Sequence, residues 1–347
     1  MNTFVKSIKS LGSPKTAIIG MVALGVGSVM SYGNPESVSA WYLAGPLAFL
    51  AVSLLVAITT NSRIYRRGGL LVFHVGLLSI AVLAAVGRLT FFEAHVEMLE
   101  GNVFGVEDTL NVKKGPLHSD DLHHIEFVQG RYTVEYHPGM VRGLTHSYVR
   151  VKGDDGSWQD KVVGDDRPLV IDGYRFYTSF NKGFAPVLTW KGIDGSSMQG
   201  AVHMPSYPLF EHKQENDWTT PTGETVRLWL RMDTGLDEKN AWILNEKTPE
   251  STLVVFVGDS RIELRPGETA AVGGGDLTYD HLATWMGYKI FYDPTLHALF
   301  GASMLSVLGL FIHFRRKFSL QPLRAADPVG GRVPVADDPR PTTGRVV

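Results

Sequence analysis

The sequence predicts a membrane protein with four transmembrane α-helices, three N-terminal and one C-terminal, and a large extracytoplasmic β-sandwich-like domain between helices three and four. Four apolar runs are long enough to cross a bilayer. The polar stretch before the last run holds short β-branched and aromatic segments separated by turn residues. We divide the chain into a cytoplasmic N-terminus (1–15), three helices (16–92), a β-rich domain (93–294), a fourth helix (295–314) and a cytoplasmic tail (315–347).

The first two apolar runs follow each other closely. TAIIGMVALGVGSVMSY (Thr16 to Tyr32) is the first predicted crossing, and the second extends from about Trp41 to Thr60. A cleaved secretory signal peptide is the alternative for the first run, because Val38-Ser39-Ala40 has the small-residue spacing of a cleavage site. The length of the run and the second run directly after it favour a crossing.

The third run, from Gly69 to Phe92, is long enough as a helix to cross roughly 30 Å of hydrocarbon at about 1.5 Å per residue. Its strongly polar side chains are His74 near the start and Arg88 near the end. The fourth run extends from about Thr295 to Phe314.

Positive charge in the short loops lies on one side of this predicted bundle. The N-terminus, the loop 61–68 and residues 315–317 are basic, whereas the loop after the first run has no basic residue. The positive-inside rule then predicts that both termini lie in the cytoplasm and the β-rich domain lies outside. The tail after Leu323, rich in Pro, Gly, Asp and Arg, is predicted to be disordered.

The domain between the third and fourth runs has the pattern of β-strands. Several segments alternate polar and apolar residues, and Gly, Pro, Asp and Asn separate them. The predicted strands are RYTVEY (131–136), SYVRVK (147–152), YRFYTSF (174–180), PVLTWK (186–191), TVRLWLRM (225–232), TLVVFV (252–257) and YKIFY (288–292).

Composition excludes several classes of function. The net charge of -2 and the lack of a basic patch with interleaved aromatics argue against binding of nucleic acid. The chain has no cysteine, so it carries no disulfide, thiol redox pair, thiolate zinc site or CxxCH haem-attachment motif. We find no catalytic signature, and the cluster Asp121-Leu122-His123-His124 lacks a further ligand at a defined spacing, so we predict a solvated loop and no metal site.

His74 is the candidate functional residue of the membrane part, since an ionisable group inside an apolar helix is costly. It could ligate haem iron or relay a proton, because an imidazole in an apolar environment stays neutral. A structural hydrogen bond across a helix interface is the alternative. His313, beside Arg315 and Arg316, and His297 at the other end of the fourth run are weaker candidates for binding the same cofactor.

Several segments together resemble the ResB (CcsB) family of System II cytochrome c biogenesis. They are FHVGLL around His74, EAHVEMLEGN (93–102), DDRPLVIDGYRFYTSF (165–180) and YKIFYDPTLHALFGASMLSVLGLFIHFRR (288–316), in an order and topology that match over about residues 15–320. Two positions depart from the family pattern: Asp166 replaces a favoured Asn, and Thr295 replaces a Gly after Asp-Pro.

The resemblance implies a multi-pass subunit of the bacterial cytoplasmic (inner) membrane that is not catalytic alone. With a ResC (CcsA)-type membrane partner, it would help to move haem across the membrane and present it for covalent attachment to apocytochrome c. In that family a transmembrane histidine is implicated in holding haem, and His74 has the matching position. A membrane-anchored β domain that scaffolds or stabilises a respiratory complex, without catalysis, is the alternative.

Overall fold

The computed structural model describes residues 9–33, 39–153, 155–233, 235–244 and 250–319. Four long helices are α1 Pro14–Gly33, α2 Trp41–Thr60, α3 Gly68–Thr90 and α4 Leu296–Ser319, and a single turn, Ser62–Tyr65, precedes α3. All four are long and apolar enough to cross a membrane. Residues 1–8, the loop 34–38 with part of the proposed cleavage site, and residues 320–347 of the predicted tail 315–347 lie outside the described residues, while residues 315–319 continue α4.

Glycines bring α3 and α4 into close contact. A Cβ atom on Gly69 would lie 2.6 Å from the backbone nitrogen of His313, and one on Gly76 would lie 2.8 Å from that of Ser306. On α4, Gly309 approaches the backbone of α3 in the same way. Because lipid tails are as apolar as leucine, membrane helices associate through such close packing of small residues. In turn, α3 packs on α2 and α2 on α1.

The chain between α3 and α4 forms a β-rich domain, as predicted. Short 3-10 turns lie at Val106–Asp108, Asp121–His124 and Glu211–Lys213. The strands are β1 Phe92–Leu99, β2 Leu110–Lys114, β3 Phe127–His137, β4 Val141–Lys152, β5 Trp158–Gly164, β6 Leu169–Ile171, β7 Tyr174–Gly192, β8 Ser197–Ala201, β9 Glu215–Thr219, β10 Thr225–Met232, β11 Trp242–Leu244, β12 Ser251–Val257, β13 Ser260–Leu264, β14 Thr269–Val272 and β15 Gly275–Tyr292.

The strands form three sheets around one apolar core. The largest has the order β2-β1-β15-β7-β6, with β14 added to β15 and β8 to β7. The other two have the orders β13-β12-β10-β9 and β11-β3-β4-β5. All three sheets contribute fully buried side chains to the core, among them Phe127, Phe176, Leu228, Leu253 and Tyr288. The predicted sandwich-like layering of these sheets stays a prediction.

Two predicted strands are in fact one. The segments 174–180 and 186–191 belong to the single strand β7, because β15 pairs with it from Arg175 to Gly192. The residues between them, 181–185, have the composition of a turn but continue the ladder, with a register shift opposite them between Met286 and Tyr288. A bulge of this kind absorbs an irregular sequence without ending the strand.

The β domain is joined directly to α3 and α4. Phe91 alone separates α3 from β1, and β1 pairs antiparallel with β15, which precedes α4. The segment after β2 returns to the end of α3, where the Leu117 amide donates to the Leu89 carbonyl at 2.8 Å. Asp293 caps the start of α4, because its carboxylate accepts from the amide and hydroxyl of Thr295 at 2.8 and 2.7 Å. These bonds fix the helix ends against the largest sheet.

Candidate functional site

The His74 imidazole is held in one tautomer by its own helix. Its Nδ1 lies 2.7 Å from the carbonyl oxygen of Leu70, one turn earlier. A carbonyl oxygen only accepts hydrogen bonds, so Nδ1 carries the proton in the neutral ring. Nε2 then keeps its lone pair, and no hydrogen bond of the described residues occupies it. A neutral imidazole with one nitrogen oriented by a carbonyl and the other free is the usual form of a metal-ligating histidine.

His74 lies away from the contact between α3 and α4. Gly69 and Gly76 face α4, and His74 lies about 140° around the helix from Gly69 at 3.6 residues per turn. The ring is half-buried, and the edge of the Phe73 ring lies against it at 5.3 Å between centroids. His74 therefore lies outside the contact between α3 and α4. Its hydrogen bond is made within α3 and does not connect these two helices.

His313 lies at the other end of the α3–α4 contact from the β domain, and it lines a basic cavity of about 540 Å³ with Arg66, Arg67, Arg316 and Lys317. Its backbone contacts Gly69, which precedes His74 by five residues, or about 7.5 Å along the helix. His74 and His313 thus differ in level and in helix face. The structure does not bring them together as two ligands of one metal.

His297 lies in the first turn of α4, beside the β domain, with an exposed side chain. It is 16 residues from His313, about 24 Å along the same helix. The three predicted histidines therefore occupy three separate places. Across the described residues, no group of three or more His, Asp or Glu side chains is arranged to hold a metal ion.

His118 connects α3 to the β domain, and the sequence analysis did not predict this role. Its Nδ1 lies 3.0 Å from the carbonyl oxygen of Thr90, the last residue of α3, and its Nε2 lies 2.9 Å from the hydroxyl of Tyr174. Its ring stacks on Phe92 with centroids 5.0 Å apart. Both nitrogens are engaged, so His118 connects α3 to the sheet and has no nitrogen left for a ligand.

Asp166 and Thr295, the two residues that depart from the family pattern, differ in burial and in hydrogen bonding. Asp166 is exposed and lies 3.7 Å from the guanidinium of Arg167. The neighbouring Asp165 makes the structural contacts, since its carboxylate accepts from Arg142, from the Thr145 amide and from Thr178 at 2.7 to 3.0 Å. Thr295 is buried as part of the cap of α4. A hydroxyl thus supplies a bond there that a glycine lacks.

The comparisons with known proteins identify a family. Residues 63–318 match the ResB-like family, and no curated protein matches. Among solved structures, one described as "Cytochrome c Heme Lyase CcmF" aligns at 10% identity and a TM-score of 0.27, over 86% of this chain and 34% of that chain. This chain thus spans about a third of that protein, and a likeness at this TM-score carries no argument about fold or function. Since the family match runs from the turn before α3 through the β domain to α4, the chain belongs to the ResB-like family.

Proposed function

We propose that this protein is a subunit of a System II cytochrome c assembly complex. With a ResC (CcsA)-type membrane partner, it moves haem across the membrane and presents it for covalent attachment to apocytochrome c. Membership of the ResB-like family supports this assignment. Haem is the cargo, and the thiols that bond to it belong to the apocytochrome, because this chain has no cysteine.

The observation that carries the proposal is the orientation of His74. The Leu70 carbonyl accepts a hydrogen bond from Nδ1, which leaves Nε2 with a lone pair available to haem iron. The ring is half-buried and lies away from the contact between α3 and α4. No second histidine of the described chain shares its level and face, so we assign the other axial position to the partner subunit.

The proposed orientation places the basic cavity around His313 at the cytoplasmic surface and the β domain outside, as the positive-inside rule predicts. His74 then lies near the cytoplasmic side, where haem enters, and the β domain lies where apocytochrome c is modified. A scaffold of a respiratory complex would need no free imidazole nitrogen at this position.

The test is to purify the chain with its partner and measure bound haem and cytochrome c maturation for His74→Ala. We expect both to fall while the abundance of the protein is maintained, because the substitution removes a ligand from a helix surface. Added imidazole should partly restore the haem content by filling the vacant coordination position. A reporter fused after Lys191 in the same strain should give the extracytoplasmic signal.

Ser79→Ala is the matched control. Ser79 donates to the Val75 carbonyl at 3.0 Å in the same helix, so this variant also removes a side-chain bond to the carbonyl one turn earlier. It should leave haem content and maturation unchanged. If His74→Ala behaved like Ser79→Ala, with normal haem content, His74 would not be the ligand, and the scaffold function would be favoured.

A further inference from the structure

The β domain contains a cavity that the proposed function does not use. Its volume is about 520 Å³, and its lining residues lie between Tyr136 and Glu238 in the sequence, apart from the four helices. This volume lies within the range of about 300 to 1,000 Å³ that is usual for small-molecule sites. Lys182 of β7 and Arg142 of β4 bring two cationic groups to it.

Lys182 is the unusual residue of the cavity. Its side chain is on a central strand and the residue is only 2% exposed, yet no hydrogen bond or ion pair within the described residues engages its ammonium group. Burial and, secondarily, repulsion by Arg142 lower its pKa to about 8, and attraction by the Asp165 carboxylate only partly opposes them. The group is still mostly protonated at neutral pH, so a positive charge lies in the cavity without a direct partner. A buried charge is costly unless it is paired.

Arg142 is only partly satisfied. Its guanidinium donates to Asp165 at 2.7 Å, and its Cζ lies 4.6 Å from the centre of the Phe180 ring. Its Nε is buried and has no hydrogen-bond partner among the residues that the structure describes. Because Arg142 is paired with Asp165, the Lys182 ammonium is the cation of these three residues that has no ion pair, and a single carboxylate would match it.

Exposed apolar side chains form part of the lining of this cavity. Phe180, Leu209 and Phe210 line it and are 72, 70 and 47% exposed, while Tyr136 and Tyr207 are buried in its wall. The other polar lining residues are Glu211, His212, Lys213 and Glu238, and they are mainly solvated. A ligand with a hydrocarbon body would cover the exposed apolar side chains and remove their surface from water.

We propose that this cavity is a binding site for a small apolar carboxylate. The carboxylate pairs with the Lys182 ammonium, and the hydrocarbon body packs on Phe180, Leu209 and Phe210. This inference does not depend on haem ligation by His74, since the two sites share no residue.

The test is calorimetric titration of the full-length protein with 2-naphthoate, a soluble carboxylate on an apolar ring, and with the neutral 2-naphthamide. We expect saturable binding of naphthoate and about 10- to 100-fold weaker binding to Lys182→Met, the range for loss of one charged hydrogen bond. Lys191→Met is the matched control, because Lys191 is exposed on the same strand and should not affect binding. Equal affinity of the wild-type protein and Lys182→Met would overturn the proposal.

The comparison of naphthoate with naphthamide needs no variant, so it tests the proposal even if Lys182→Met does not fold. Naphthamide should bind the wild-type protein at least about tenfold more weakly, since it has no charge to pair with Lys182. Equal affinities for the acid and the amide, or no saturable binding of either, would show that the site does not select a carboxylate.

Two sources of such a carboxylate are a free aliphatic acid and the propionate of a tetrapyrrole. Displacement of bound naphthoate distinguishes them, with octanoate and protoporphyrin IX as competitors. Displacement by octanoate alone assigns a free acid, and displacement by protoporphyrin IX assigns a tetrapyrrole. Displacement by neither would overturn the assignment.

Discussion

Two histidines near α3 show how a second hydrogen bond decides what an imidazole can do. His74 and His118 each direct Nδ1 to a carbonyl of this helix, at 2.7 and 3.0 Å. Nε2 of His118 also has a partner, the Tyr174 hydroxyl, whereas Nε2 of His74 has none among the described residues. One imidazole is therefore structural, and the other is available as a ligand.

Lys182 should make the protein less stable at neutral pH than a neutral residue would. Its pKa falls from the ordinary 10.5 to about 8, so the folded state disfavours the charged form. This cost is fully present below about pH 8 and is relieved as pH rises from about 8 to 10.5. The shift corresponds to about 3 kcal/mol. We expect Lys182→Met to raise the unfolding temperature of the full-length protein at pH 7, with a smaller difference at pH 10.

The groups that face Lys182 do not disturb this comparison. Burial raises the pKa of Tyr136 and of Tyr207 to about 12, so neither hydroxyl titrates in the window. Lys191→Met, on the exposed part of β7, should change the unfolding temperature little at either pH. A lower unfolding temperature of Lys182→Met at pH 7 would mean that Lys182 has a stabilising partner.

These residues differ in how far the sequence could reveal them. His74 could be singled out because it interrupts an apolar run, but its tautomer depends on the Leu70 carbonyl and needs the folded helix. Lys182 lies in SFNKGF, which has the composition of a turn, and it is buried only because β15 continues past it. His118 is separated from Tyr174 by 56 residues, so no local pattern predicts their contact.

At the scale of elements, the pairing of α3 with α4 rests on glycines. Gly76→Val should weaken it, because even the first added carbon would lie within 3.0 Å of the Ala302 carbonyl oxygen and the Ser306 backbone. We expect a loss of about 1 to 3 kcal/mol, the usual cost of overpacking, measured as a lower unfolding temperature in detergent.

Gly301→Val is the matched control for this substitution. Gly301 lies on α4, and nothing lies within 4 Å of a Cβ atom placed there. The same change of residue type should therefore have little effect on the unfolding temperature. Equal losses in Gly76→Val and Gly301→Val would show that helix propensity, and not the α3–α4 contact, determines the result.

The helices were the easiest elements to predict, since length and apolarity suffice to find them. Strand ends were harder. Residues 181–185 suggest a turn by composition, yet the long partner strand β15 supplies hydrogen bonds that keep β7 extended. Tertiary pairing overrides local propensity in such cases.

At the scale of the whole molecule, the strand that follows α3 and the strand that precedes α4 lie side by side in the largest sheet. Phe92 of β1 pairs with Tyr292 of β15, so the strands that leave the two helices are adjacent from their first residue. A shift of α3 relative to α4 would have to break this ladder or the contacts of His118. The helix pair and the β domain are thus mechanically coupled. The sequence predicted this order of segments, but pairing between residues 200 positions apart required the fold.

The absorption spectrum of haem bound to the complex with the ResC-type partner tests the central claim most directly. The axial ligand determines the electronic state of haem iron, so replacing His74 by another potential ligand should change the spectrum and not only the haem content. We expect His74→Met to shift the absorption bands relative to the wild-type complex, while Ser79→Ala leaves them unchanged. Identical spectra and equal haem content in the wild-type and His74→Met complexes would contradict ligation of haem by His74.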